Sequence, residues 1–128
     1  MSLLRSSPYV VIEALPELAV IHVVRSGLPF GDAHTAQQEL VQWLPALDGI
    51  DTARFGVLLD FRATPMTSDP DILRTVVTEV DRLALLFSRR ALLITAALMG
   101  PQSERVTRAG AKLEPFCEEA AAWAHLRG

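Results

Sequence analysis

Two runs of apolar, largely β-branched residues stand near the start of the chain. "YVVIEAL", residues 9–15, predicts a strand, and "LAVIHVV", residues 18–24, predicts a second. Only Pro16 and Glu17 separate them. A connection that short holds no crossover helix, so the two runs predict an antiparallel hairpin. The loop "RSGLPFGD" follows. Asp32 is placed to cap a helix running to about Leu44, with Ala36, Leu40, Val41 and Leu44 on one side. Pro45 ends that pattern, and "LDGIDTAR" reads as a loop.

"FGVLLDF", residues 55–61, is apolar at both alternating phases, as expected of a strand buried on both faces. Ser68 or Asp69 then caps a helix with Pro70 in its first turn. Leu73, Val76, Val77, Val80, Leu83, Ala84 and Phe87 follow helical spacing. Leu85 and Leu86 flank that stripe and widen it into a candidate interaction surface. "ALLITAAL", residues 91–98, predicts a fourth strand. Gly100-Pro101 breaks the chain, and "QSERVTRA" predicts a short polar helix ending at Gly110. "KLEPF" suits a short edge strand, where Pro115 is tolerated. "CEEAAAWAHLRG" predicts a last helix that packs through Ala120, Trp123 and Leu126, with Cys117 packed near its start.

The predicted order is β-β-α-β-α-β-α-β-α. This is an α/β single domain over residues 1–128, with 1–7 flexible. An N-terminal hairpin is followed by βα units in a mixed, mostly parallel sheet. Right-handed crossovers added in sequential order place their helices on one sheet face. Strands three and four are apolar on both sides, so the opposite face needs a different helix or a partner.

Composition narrows the function classes. Half of the 128 residues are hydrophobic and 21% are charged, which is globular rather than disordered. The net charge is −3, aromatics are 6%, and the arginines are scattered, so nucleic acid is not an expected partner. A single cysteine, Cys117, allows neither an internal disulfide nor a cysteine-rich zinc site. The polar start does not suit a signal peptide, and no apolar stretch is long enough to span a bilayer. A soluble cytoplasmic protein is expected, without an integral membrane segment.

The pieces "VIEALPELAVIHVVRSG", "FGVLLDFR", "RRALLITAAL" and "PFCEEAAAWAHLRG" together resemble the SpoIIAA-like, or STAS-like, family across nearly the whole chain. That resemblance implies a small mixed sheet with helices and a non-enzymatic, bacterial-type regulatory role through protein partners. In the best-known members a serine after the third strand, in an Asp-Ser-Ser-Gly stretch at a helix start, is switched by phosphorylation. Here the region reads "MTSDPD", with Ser68 ahead of Asp69 and no glycine after it. A branch without known chemistry, often grouped with lipid-binding CRAL-TRIO-like domains, is the better fit.

"LLDFRATPM" is also similar to the phosphoacceptor segment of response-regulator receivers, with "LLITA" and "AGAKLEPF" echoing later receiver strands. That resemblance would make Asp60 the phosphoacceptor, Thr95 the switch hydroxyl and Lys112 the basic partner. Receiver chemistry needs a pair of acids after strand one to hold Mg²⁺, and the first run offers only Glu13. The hairpin and the "LE" between Lys112 and Pro115 depart further from a receiver.

The candidate regulatory residues are therefore Ser68, Thr67 and Asp60, each with a plainer use. Asp60 suits an ion pair with Arg62, and Ser68 or Thr67 suits a helix cap. His22 falls in strand two with Leu18, Val20 and Val24 and suits packing. His34 and His125 fall on separate helices, and no spacing matches a metal motif. No P-loop, dinucleotide fingerprint or nucleophile elbow is present, and no catalytic residue or cofactor is expected. The expected function is a non-enzymatic regulatory or interaction module, self-associating as a homodimer or binding another protein. The alternatives are a carrier of a small apolar ligand, held between the sheet and the long helix, and a degenerate receiver with Asp60 as phosphoacceptor.

Overall fold

Residues 2–65, 67–95 and 113–127 are described in the computed structural model. Their strands are β1 (Ser2–Ser6), β2 (Val10–Leu15), β3 (Val20–Arg25), β4 (Gly56–Asp60), β5 (Arg89–Leu93) and β6 (Glu114–Phe116). They form one six-stranded sheet in sequential order. The β1–β2 and β2–β3 pairs are antiparallel, whereas β3–β4, β4–β5 and β5–β6 are parallel. The described α-helices are α1 (Ala33–Leu40), α2 (Pro70–Ala84) and α3 (Glu119–Leu126). The chain is thus α/β with a mixed sheet, and the predicted short helix at 102–109 lies outside the described residues.

One segment differs plainly from expectation. The N-terminal residues expected to be flexible form β1, paired along β2. Leu4 packs against the main core, and Arg5 reaches across to Glu39 of α1. These contacts fix a stretch that its own polar composition does not.

The hairpin forms as predicted, but its turn spans Pro16–Ala19. Leu18 and Ala19 donate to the carbonyls of Leu15 and Pro16, and Ala19 is left-handed at φ 52°. Leu18 is therefore exposed in the turn, and β3 begins two residues later than the pattern suggests.

Asp32 caps α1, accepting from the Thr35 backbone N–H at 2.7 Å. The helix stops at Leu40, short of Leu44. Gln42 and Trp43 donate to carbonyls three residues back, which tightens the last turn. Trp43 is consequently driven into the core and Val41 is left exposed, a correction to the predicted face.

Two cores flank the sheet. On one face Val10, Ile12, Ile21, Val23, Val57, Leu59 and Leu92 meet Ala36, Leu40, Val80, Leu83 and Phe87 around α1 and α2. On the other, Val20, Leu58, Ala91 and Leu93 meet Ala122 and Leu126 of α3. The apolar second face of β4 and β5 is covered by a helix of the same chain. The packing residues of α3 are Ala122, Leu126 and, in part, Trp123; Ala120 and Cys117 are exposed, contrary to expectation. Ala120 lies outside the short stripe that a helix of this length turns toward the sheet, and Cys117 precedes the helix.

Candidate functional site

The most ligand-like feature lies at the carboxyl ends of the parallel strands. A cavity of about 170 Å³ opens there, between the sheet and α2. Strand endings build its floor: Arg25 closes β3, while Phe61 and Ile94 follow β4 and β5 directly. The first turns of α2 supply Ile72, Leu73, Val76 and Val77 as one wall. Leu40, Trp43 and Phe30 supply the other, and Thr64, Pro65 and Thr67 come from the β4–α2 loop.

Three polar residues, Arg25, Thr64 and Thr67, stand among these apolar walls. Arg25 is only 3% exposed. Its Nη1 donates to the carbonyls of Ser26 at 2.8 Å and Tyr9 at 3.2 Å, and Nη2 donates to the carbonyl of Leu28 at 2.7 Å. Its guanidinium carbon lies 4.3 Å from the centre of the Phe30 ring, which itself stacks on Tyr9 at 4.9 Å. Burial pulls the Arg25 pKa below that of a free arginine, while the charge of Glu39 works the other way. The second polar group is Thr64, whose Oγ1 is buried without a hydrogen-bond partner.

The predicted site residues are divided between this cavity and other places. Asp60 ends β4 on the opposite face, buried beneath α3. Its Oδ1 accepts from the Arg62 backbone N–H at 3.2 Å and from Nε at 3.0 Å, and its Oδ2 accepts from Nη2 at 2.7 Å. Arg62 Nη2 also meets Glu119 Oε1 at 2.8 Å, at the first residue of α3. Burial alone would raise the Asp60 carboxyl, but the Arg62 donors and charge outweigh it and hold it below the usual carboxylate value. Asp60 in turn holds Arg62 more firmly protonated than a free arginine. The arrangement is a clamp between β4 and α3, and it occupies the carboxylate that a phosphoacceptor would need free.

His22 stands near this clamp. Its ring meets Trp123 edge-on at 5.8 Å, and its Nε2 is buried without a partner. Burial lowers its pKa from 6.5, partly offset by Asp60, Glu13 and Glu119, with Arg62 reinforcing the fall.

Asp69, not Ser68, caps α2, accepting from the backbone N–H of Asp71 at 2.9 Å. Thr67 Oγ1 accepts from the Asp69 N–H at 3.1 Å, so Thr67 shapes the approach to the cap. Ser68 between them is exposed. Thr67 lines the cavity and Asp60 does not, so the three candidate regulatory residues do not form one site. Thr95 follows β5, and Lys112 lies outside the described residues. Leu85 and Leu86 fall just past the end of α2, 50% and 44% exposed.

Sequence reasoning missed Arg25 and Thr64. Arg25 had a signal: it takes the inward phase of Ile21 and Val23, where a charged residue needs a reason. Thr64 had none, because its burial comes from a loop folded by distant segments. Comparison with family models, with curated proteins and with solved structures returns no match.

Proposed function

We propose that this chain is a non-enzymatic ligand-binding module of STAS-like type, in which a small apolar molecule sits between the sheet and α2. The cavity at the ends of β3, β4 and β5 carries this reading. It has the apolar lining and few inward polar groups of a small-molecule site. The sequential sheet order with an antiparallel hairpin ahead of the parallel strands supports a STAS-like arrangement, to which β1 is an addition. The engagement of Asp60 by Arg62 favours a non-catalytic role over phosphoacceptor chemistry.

Titration with toluene, followed by the backbone amide signals of α2, tests the proposal. Saturable shifts at Ile72, Val76 and Val77 are expected. A filled or impermeable core, seen as no shift at the solubility limit, sinks it.

The exposed pair Leu85 and Leu86 favours a second property, self-association through the end of α2. Light scattering at high concentration is expected to give a dimer mass that Leu85→Glu returns to monomer; a strict monomer removes this reading.

A further inference from the structure

We infer that the cavity takes a small carboxylate, with its hydrocarbon body between the sheet and α2 and its carboxyl group at Arg25 and Thr64. This rests on the cavity being a ligand site and names the chemical class it selects.

Size sets the body. An apolar cavity of about 150 Å³ is known to hold benzene, and this one measures about 170 Å³. A monocyclic or short-chain molecule of about six to nine non-hydrogen atoms is the matching class. The walls offer such a body only hydrocarbon contact, from Ile72, Val76, Leu92 and Trp43 among others.

Charge sets the head. A guanidinium has five N–H donors and no acceptor. At Arg25 the protein carbonyls of Tyr9, Ser26 and Leu28 engage Nη1 and one N–H of Nη2. Among the described residues, Nε and the second N–H of Nη2 have no acceptor, and Glu39, the carboxylate whose charge reaches Arg25, lies outside ion-pairing distance and is engaged by Arg5 and Trp43. Carbonyl oxygens satisfy donors but carry no counter-charge, and a buried cation is ordinarily paired. A ligand carboxylate supplies both the charge and acceptors for the two remaining donors, in the geometry that arginine favours.

Thr64 points to the same head group independently. Its buried Oγ1 lacks a partner in a structure that satisfies nearly every other buried side-chain polar atom described. That oxygen has no accessible surface of its own, so it meets a ligand oxygen once the Thr64 side chain turns about χ1 into the cavity that the residue lines. The two residues belong to neighbouring loops: a Cβ placed on Gly27, just after Arg25, would lie 3.5 Å from the carbonyl of Ala63, just before Thr64. The contact with the Phe30 ring, 4.3 Å from the guanidinium carbon to the ring centre, helps hold the guanidinium in place before any ligand arrives.

Binding of benzoate, benzyl alcohol and toluene at neutral pH, measured by amide chemical-shift titration, tests the inference. Benzoate is expected to bind at least about tenfold more tightly than benzyl alcohol, the value of one charge-assisted contact. Arg25→Met is expected to abolish that preference while toluene still binds. Because Arg25 also holds loop carbonyls, Thr64→Val provides a second readout, with benzoate weakened about three- to tenfold and toluene unchanged. Toluene binding equal to or tighter than benzoate overturns the carboxylate assignment and leaves the ligand cavity standing. Binding by none of the three removes both.

Discussion

Arg5 and Glu39 are joined by two parallel hydrogen bonds, from Nε to Oε2 at 3.0 Å and from Nη2 to Oε1 at 2.9 Å. The pair fastens the outermost strand to α1. The same carboxylate accepts from Trp43 Nε1 at 2.8 Å, so one acid seats both a strand and a core tryptophan. Burial would raise the Glu39 carboxyl, but the Arg5 and Trp43 donors prevail and hold it below its usual 4.5.

A group with a depressed folded pKa stabilises the fold above its unfolded value, and that contribution fades as pH falls through the folded value. Glu39→Gln is therefore expected to cost about 1–2 kcal/mol at neutral pH, a figure reduced for the partial exposure of Arg5. It is also expected to flatten the acid limb of stability below about pH 4.5. Urea unfolding across pH checks both, and an unchanged acid slope counts against the assignment.

Asp60, Arg62 and Glu119 fasten the other side of the sheet. Arg62→Met leaves the buried Asp60 without its counter-ion and frees the start of α3. A loss of about 1–2 kcal/mol is expected, kept modest because Arg62 is partly solvated. Amide exchange is expected to accelerate in α3 before it does in α2. Uniform acceleration throughout the protein contradicts a local clamp.

His22 predicts a pH effect of its own. Its folded pKa lies below 6.5, so the unfolded chain binds a proton that the folded chain resists. Stability is expected to decline as pH drops below 6.5 and to level off once the folded histidine is protonated. His22→Leu should remove this component while the carboxylate-driven acid limb persists. An imidazole titration midpoint at or above 6.5, read by NMR, defeats the claim.

Gly56 explains how closely α3 approaches β4. A Cβ added there would lie 3.2 Å from Leu126 Cδ2 and 3.4 Å from the Arg89 carbonyl. Gly56→Ala is expected to destabilise by about 1–2 kcal/mol, because the Leu126 end of α3 must shift. Gly56→Ala combined with Leu126→Ala should recover part of the loss relative to additivity. Full additivity in unfolding experiments argues that the two do not touch.

Local pattern made much of the architecture legible. The double apolar phase of Val57, Leu58 and Leu59 marks a strand covered on both sides, and two separate cores do cover it. The Asp32 cap and Pro70 in the first turn of α2 also follow from adjacent residues alone. What was not legible depends on distant partners. β1 exists because of β2 and Glu39, contacts that Ser2, Arg5 and Ser6 do not announce. Trp43 turns inward because the helix tightens one turn early and Glu39 meets its indole. The cavity requires loops from three strand ends to meet, and nothing local to Arg25 or Thr64 predicts that meeting.

The two margins of the sheet differ in length but share a consequence. Pairing between β1 and β2 slips between Leu3 and Arg5, breaking the regular row of outward donors and acceptors. At the opposite margin β6 is three residues long and contains Pro115, which has no N–H to offer. Irregular, short and proline-bearing edges make poor templates for another strand. Among the described residues, growth into extended β-fibrils is discouraged at both ends of the sheet by backbone geometry rather than by charge.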